Sequence, residues 1–513
     1  MTAIDIYYLA VIIVASLVSY RYLLYPLFFS PLAQIPTPHW TCSISDAWIL
    51  YARFRGRENR ILQAAHKKCG PIVRVGPREL SVNSVEAVKT IYQGGFDKHS
   101  WYSVFDNFGK RMVSNVYSKS YINASIAQAA QSDVILNTRL MPTLEASMSE
   151  SRTPHGIDVH SLFCAVAMDF ISAYCFGIRR SSNFIKDKAY RDHWLKIYMT
   201  RKGHGFFAQE LHSVSKILTY VGICLTPRWV DAANRELEAW CKELSDATIQ
   251  DLRGPEPEPD SADSPVVVRT LLAGYDKEKK MHGTDSPIHS TTILNPELSI
   301  ASEVFDHVLA GQETTGVALT YLSYHLSQSL DLQKELRNEL LSLRPNMVLK
   351  GGRIEMPDPK QLHNLPKLHG MVLETVRRYA PAGGPEPRVV PYPSRRIGPY
   401  EVPGGTRVSA SAYNLHRDEQ TYQNPEQWDH TRWLTDKVGS PGREAAGKQF
   451  WGFSSGGRMC LGSNFATHEM KLTIAAIYSN FTSHVVDDRG IEQTDMYTGH
   501  PKSNALYLRY DRI

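Results

Sequence analysis

At 513 residues, 42% hydrophobic and 21% charged, the chain is long enough for a large folded body and too ordinary in composition for a disordered or fibrous protein. A formal net charge of +5 is small for this length, and no basic stretch interleaved with aromatics stands out, so nothing argues for nucleic acid. The seven cysteines form no C-x-x-C pair and are odd in number, which disfavours zinc and a disulfide framework and fits reduced thiols facing the cytosol.

Residues 6–20 are apolar apart from tyrosine and serine, and 22–24 extend the run beyond Arg21. Counted from 4 to 24, it can cross a bilayer core. A cleaved signal peptide would begin with basic residues, whereas Asp5 precedes this run, so residues 1–25 are read as a membrane anchor. Arg21 on the C-terminal flank places the rest on the cytoplasmic side. Pro26, Pro31, Pro36 and Pro38 predict a stiff, extended hinge over 26–40, because helices do not continue through proline. The body then runs from 41 to 513.

Within the body, 61–68 reads as a short helix. Residues 72–75 and 79–82 alternate apolar and polar about Gly76-Pro77, as a β-hairpin does. The stretch 109–120 has no clear pattern; Lys110-Arg111 is either an anion contact or a solvated face. Residues 159–176 are apolar on most faces and predict a core helix. Two helices are expected over 194–221, broken at Gly203-His204-Gly205, with Phe206 and Phe207 either core or pocket residues. Another helix is expected over 234–253. The acidic, proline-rich stretch 255–265 reads as a surface loop inside one domain.

Residues 298–326 predict a long helix, with Val304, Val308, Gly311, Thr315, Leu319, Leu322 and Leu326 on one face. Its middle, Ala310-Gly311-Gln312-Glu313-Thr314-Thr315, is poor by helix propensity, and a broken local rule in a good helix points to function. Gly311 would leave room for a small ligand. The Thr314 hydroxyl can hydrogen-bond a ligand or displace a helix hydrogen bond, and Glu313 can link the site to solvent as a proton carrier.

A helix over 365–379 carries Glu374 and Arg377 three residues apart on one face, by default a surface ion pair of little weight. Strands are expected at 387–390, 400–402 and 406–410, with a turn at Pro403-Gly404. Residues 465–479 read as a helix and 495–508 as a final hairpin with its tip near Thr498-Gly499-His500.

Between them lies Phe453-Ser-Ser-Gly-Gly-Arg-Met-Cys-Leu-Gly462. One cysteine sits in a glycine-rich bend, where backbone N–H groups can point at sulfur and a flat macrocycle can approach the chain. Arg458 can pair with a carboxylate, Phe453 can shield the sulfur, and the helix beginning after Gly462 favours a thiolate at Cys460.

This decapeptide meets every fixed position of the haem-binding signature of cytochromes P450, and residues 310–315 resemble that family's oxygen-binding motif. The resemblance extends over nearly the whole chain and is closest in feel to fungal, microsomal members. It implies a mainly α cytochrome P450 fold: a large α-rich haem domain with a small β region, behind an N-terminal membrane helix. It implies haem b (iron protoporphyrin IX) with Cys460 as the axial iron ligand, and Phe453, Gly456, Arg458, Gly462 and Arg388 around the cofactor, the two arginines on propionates. It makes Thr314 and Glu313 the catalytic proton-delivery pair. Glu374, Arg377 and Arg432 become a buried structural triad, and His416 is not an iron ligand because the thiolate completes the site. Two departures stand out: His430-Thr431 replaces the usual Pro-Glu before Arg432, and Phe105 stands four residues after Trp101 where the family has arginine, in a shortened segment 101–117.

The activity so implied is a haem-thiolate monooxygenase inserting one oxygen atom of dioxygen into a small apolar organic substrate, in fungal secondary metabolism or detoxification. Electrons would come from NADPH through a separate NADPH–cytochrome P450 reductase, with cytochrome b5 a further candidate donor, since the chain has no flavin or nicotinamide fingerprint. The implied place is the endoplasmic reticulum membrane, single-pass, with the catalytic domain in the cytosol. The alternatives are a haem-thiolate isomerase or dehydratase, against which the retained Thr314 and Glu313 argue, and a catalytically impaired haem-binding protein with too short a segment at 101–117.

Overall fold

A computed structural model describes residues 3–110, 121–149, 156–254, 260–434 and 441–513. Arg111–Tyr117 of the shortened segment, and 255–259 of the expected acidic loop, lie outside the described residues.

The apolar N-terminus forms the helix Ala3–Ser19, which continues as a wider π-type coil over Tyr20–Phe29 with Pro26 inside it. This corrects the expectation that Pro26 stops the helix. In a coil closed by i→i+5 bonds, such as Ser30 N–H to Tyr25 O at 2.8 Å, the ring of proline is relieved of the carbonyl it meets in an α-helix. The span Ile4–Phe29 is 26 residues long with none of its apolar window buried, a candidate membrane anchor. The proline-rich stretch after it is docked: Leu32 and Ile35 are each 2% exposed in an apolar cluster with Leu80, Val402 and Val408. Buried Arg74 donates to the Pro26 carbonyl at 2.9 Å.

Among the described residues, ten strands make three sheets. The largest runs β1 (Ile72–Gly76), β2 (Glu79–Val82), β8 (Arg407–Ser411), β5 (Pro385–Val389) and β3 (Asp97–Lys98) in spatial order. All its pairs are antiparallel except β2–β8. A hairpin pairs β6 (Ser394–Ile397) with β7 (Tyr400–Pro403); β6 is too exposed and arginine-rich to show as a strand in the sequence. The third sheet joins β4 (Ile157–Asp158), β10 (Tyr507–Arg512) and β9 (Phe481–Asp487). The final hairpin expected over 495–508 is therefore corrected: β10 pairs back to β9, and the residues between them form a long loop pinned by a Gln493–Pro501 bridge.

Helices supply most of the body. The long central helix, Pro296–Ser327, packs along the core helix Val159–Phe176, which is buried almost throughout. Glycine sets how closely they approach. A Cβ on Gly316 would lie 2.7 Å from Cys164 Sγ, and one on Gly311 would lie 3.0 Å from the Ile171 side chain. A side chain at Gly311 would therefore press on Ile171. The region expected to hold two helices holds three, together termed the roof: Lys188–Lys202, Gly205–Glu210 and His212–Tyr220, with a second break at Leu211. Phe206 and Phe207 pack on Phe54, with ring centroids 5.4 and 6.4 Å away. Glu210 ties the roof to the sheet, bridging Arg53 and Arg407 at 2.9 Å each. Helices Arg228–Arg253 and Val266–His282 complete this side; the second follows the acidic stretch and was not expected.

Candidate active site

The loop before the helix Ser463–Tyr478 presents Cys460. Its N–H donates to the Phe453 carbonyl at 2.9 Å, and Met459 N–H donates to Gly456 O at 3.1 Å, so the decapeptide folds back on itself. Gly456 has φ +76°, and a Cβ there would lie 2.1 Å from the Tyr92 carbonyl; only glycine fits. Gly457 and Gly462 meet nothing within 4 Å of a Cβ, which leaves their face open. Of the seven cysteines four are buried and one is half-buried, while Cys460 and the distant Cys224 are exposed. Its thiol nonetheless lies among enough protein for desolvation to raise its pKa, while a backbone hydrogen bond at Gly462 lowers it and Glu386 raises it.

Arg388 on β5 is 2% exposed. Its Nη1 donates to the Tyr102 hydroxyl at 3.1 Å, its guanidinium lies over the Tyr92 and Tyr102 rings at 4.8 and 5.7 Å, and Glu386 is 3.6 Å away. Glu386 also accepts from Ser454, at 2.8 Å, which joins this corner to the cysteine loop. Lys98 stands directly across the β3–β5 ladder from Arg388. Desolvation lowers the Lys98 pKa, and the like charges of Arg388 and Arg458 lower it further. Arg388 and Lys98 therefore face each other across the ladder, and Glu386 pairs with the first. Nothing in the sequence singles out Lys98 or Tyr102, which lie on a two-residue strand and a short turn.

On the central helix, Ala310 is exposed and Thr314 half-buried on one stripe, while Thr315 is buried. The Thr314 hydroxyl donates to the Ala310 carbonyl at 2.7 Å, the back-bond that loosens a helix turn. Glu313 points elsewhere. It is 5% exposed, paired with the Lys202 ammonium of the roof, and accepts from the Tyr198 hydroxyl at 2.7 Å and the Thr498 hydroxyl at 3.3 Å. Burial would raise its pKa, but the Lys202 charge and the hydrogen bonds from Lys202 and Tyr198 outweigh it and hold the carboxyl below its usual range. The tip near Thr498 thus touches the expected acid. Lys202 and Tyr198, on another helix, carry no sequence signal.

Behind the cysteine loop, Glu374 and Arg377 are completely buried and joined by two hydrogen bonds of 2.8 and 2.9 Å. Arg432 reaches the same carboxylate at 3.3 Å. The Trp433 indole and the Asp429 N–H donate to it at 3.0 and 2.9 Å, occupying oxygen positions despite the His430-Thr431 departure. Arg377 also donates to the carbonyls of His416, Pro425 and Gln427. His416 is fully buried; its Nε2 accepts from Trp451 N–H at 2.8 Å, which leaves Nδ1–H to donate to Arg377 O at 3.0 Å. Both nitrogens are used.

Trp101 is buried against Tyr497 at 5.0 Å between centroids. The chain then crosses to the central helix, where the Ser302 hydroxyl donates to Asn107 O at 3.0 Å and Phe108 meets Phe305 at 6.3 Å.

An accessible thiol, two open glycines and the cations Arg388 and Lys98 on the strand pair tied to this loop through Glu386 and Ser454 suit a flat metal macrocycle with carboxylate arms. A model of the Cytochrome P450 family matches residues 47–507. The chain is 27% identical to cytochrome P450 monooxygenase sdnE of Sordaria araneosa, over 90% of this chain and 88% of that one. It is 24% identical to cytochrome P450 monooxygenase orf2 of Aspergillus niger, over 91% and 90%. With tryprostatin B 6-hydroxylase of Aspergillus fumigatus it shares 27% identity over 90% of this chain and 76% of the relative. With the signature loop, the central helix and the family match coinciding over most of its length, this chain belongs to the cytochrome P450 family of oxidoreductases, whose members carry haem iron.

Proposed function

We propose that the chain is a haem-thiolate monooxygenase of fungal secondary metabolism that hydroxylates a small, largely apolar organic molecule. Cys460 is the iron ligand, Arg458 and Arg388 hold the propionates, and Phe453, Gly456 and Gly462 shape the loop. Haem with a thiolate ligand supplies the activation of dioxygen. The protein's own contribution is to hold the thiol on a fixed loop, to place the Thr314 hydroxyl where it can pass protons inward, and to keep Glu313 charged behind it. Glu313 hands protons on from the roof side, through the polar cluster of Lys202, Tyr198 and Thr498. Electrons come from NADPH through a separate reductase. The exposed apolar helix Ile4–Phe29 holds the body on the cytosolic face of the endoplasmic reticulum. The naming of relatives as monooxygenases, one of them a hydroxylase of tryprostatin B, supports the reaction class.

The observation that carries the reading is the single accessible cysteine on the signature loop. The full chain, reduced and exposed to carbon monoxide, is expected to show the long-wavelength Soret band of a thiolate-ligated haem, and Cys460→Ser to lose it. A band that persists in Cys460→Ser refutes the assignment. NADPH consumption with added reductase, stimulated by a turned-over substrate, separates a monooxygenase from an isomerase.

A further inference from the structure

Four tyrosines, Tyr321, Tyr324, Tyr379 and Tyr413, line a cavity of about 370 Å³ beside the last turns of the central helix. Its lining includes the exposed Arg60 and Glu492, so it opens to water. Two of the tyrosines are stacked. Tyr321 and Tyr379, the residue that ends the helix Pro366–Arg378, have ring centroids 3.9 Å apart and planes within 3°. That is closer than aromatic side chains ordinarily approach, and overlapping faces share a positive hole better than one ring does. The Tyr379 hydroxyl meets His325 Nε2 at 2.9 Å. Desolvation, and then the charge of Arg378, push that imidazole down to about 3, so it is neutral. With its proton on Nδ1, it accepts the phenolic hydrogen. Its other contact is flat on Trp428, at 4.7 Å and 7°, a face that steadies an imidazolium. Arg378 lies over the Tyr379 ring at 4.7 Å and is balanced by Glu426 at 2.8 Å. The Tyr321 hydroxyl, by contrast, donates to the Ile491 carbonyl at 2.9 Å, which cannot take up its proton. Tyr379 thus combines a base at its oxygen, a second phenol against its face and an opening to solvent.

We propose that Tyr379, paired with His325 and stacked on Tyr321, is a redox-active tyrosine that drains an unused oxidising equivalent from the active site to the cavity. The proposal rests on the reading that Cys460 carries haem. Tyr321 follows Thr314 by seven residues on one helix. It therefore lies on the same stripe, about 10 Å along the axis from the threonine hydroxyl. The oxidant is a haem oxidised by hydrogen peroxide when no substrate takes up the oxidation. One electron leaves Tyr379 for that haem by way of Tyr321, and the phenolic proton moves to His325 Nε2. The products are a neutral phenoxyl radical, an imidazolium and a haem reduced by one electron. An oxidised phenol is a far stronger acid than an imidazolium, so the proton moves even against the burial of His325. A small one-electron reductant of the ascorbate class, entering the cavity, returns the electron, and the proton goes back from His325 to the phenol oxygen.

The test mixes the substrate-free, full-length holoenzyme in detergent with hydrogen peroxide and freezes it rapidly for high-field electron paramagnetic resonance. A neutral tyrosyl radical is expected, with the lowered gx that a hydrogen bond to the phenoxyl oxygen produces. Ascorbate is expected to quench it. Tyr379→Phe is expected to lose most of the signal. His325→Gln is expected to lower its yield and raise gx, since an amide does not take up the proton. Bleaching of the haem by peroxide is expected to run several-fold faster in both variants. Tyr379→Phe removes one oxygen atom and keeps the stack, and His325→Gln keeps the question answerable where the first variant folds poorly. A wild-type enzyme without a tyrosyl radical, or a signal unchanged in both variants, overturns the proposal. So does a Tyr379→Phe enzyme that bleaches at the wild-type rate, since the stack would then only be packing. A reduced carbon monoxide spectrum without the thiolate band refutes the function reading instead. The same variants are then compared after a flash-generated one-electron oxidant in solution, which reaches Tyr379 through the cavity, and the same signal decides the proposal.

Discussion

Thr314 and Glu313 are adjacent in sequence and face different surroundings: the hydroxyl lies on the accessible stripe with Ala310, the carboxylate against the roof. Thr314→Ala removes the hydroxyl without touching the Lys202–Glu313 pair. It is expected to keep haem content and NADPH consumption while the ratio of peroxide to product rises roughly tenfold, measured by peroxide assay beside product quantification. A second residue-scale expectation concerns buried histidines. Desolvation pushes His160 down to about 4 and His325 and His416 to about 3, from an ordinary value of 6.5. The folded protein keeps them neutral, whereas the unfolded chain binds their protons as the pH falls below the ordinary value. Stability is therefore fully present above that value and is lost progressively as the pH drops toward the folded values. His416→Gln can still donate to Arg377 O and accept from Trp451 N–H, and it cannot titrate. In urea titrations between about pH 6 and pH 4 it is expected to remove about 1.4 kcal/mol per pH unit from the wild-type slope.

At the scale of elements, the helix Pro366–Arg378 is bound to the stretch before the cysteine loop through one carboxylate. Glu374 accepts from Arg377, Arg432, Trp433 and the Asp429 backbone, and Arg377 spreads its remaining protons over three carbonyls. Removing one member leaves a buried charge and several donors without partners. Glu374→Ala and Arg377→Ala are each expected to cost about 3–5 kcal/mol. Recovered protein should be largely haem-free with a lowered melting temperature, read by the haem-to-protein ratio and thermal unfolding. Full haem content with normal melting in Glu374→Ala would show that the network is dispensable. Exposed pairs such as Lys67–Glu419, at 2.7 Å, are the useful contrast, because water screens them.

For the whole molecule, the N-terminal helix and the body meet at Pro26. Its carbonyl accepts from buried Arg74, while Leu32 and Ile35 fill part of the core under the sheet. A chain starting at Pro26 is expected to keep haem and stability and to leave the membrane fraction in carbonate or detergent-free partitioning. A chain starting at Pro36 also loses both buried apolar side chains and the Arg74 acceptor. It is expected to unfold several kcal/mol more easily, by roughly 2 kcal/mol per buried aliphatic side chain removed. Equal melting of the two truncated chains would show that the proline-rich stretch is a passive linker.

Sequence alone carried what is set by local pattern. The cysteine loop, the motif at 310–315 and the core helix at 159–176 are contiguous, so their spacing and periodicity are legible directly. The apolar N-terminus is legible for the same reason, although the π-type coil that carries it past Pro26 is not, because proline's usual effect assumes α geometry. What remained for the tertiary structure is whatever depends on two distant segments arriving together. The final strand pairs with β9 because both need a partner edge, not because of the turn between 495 and 508. Gly311 lies where a Cβ would press on Ile171, a residue on another helix. Glu313 is charged because Lys202 and Tyr198 descend from the roof, and Arg388 stands among Lys98, Tyr102 and Glu386 because a two-residue strand closes the sheet there. Periodicity reports which face of an element is buried, whereas the identity of the side chain opposite is decided only when the chain has folded.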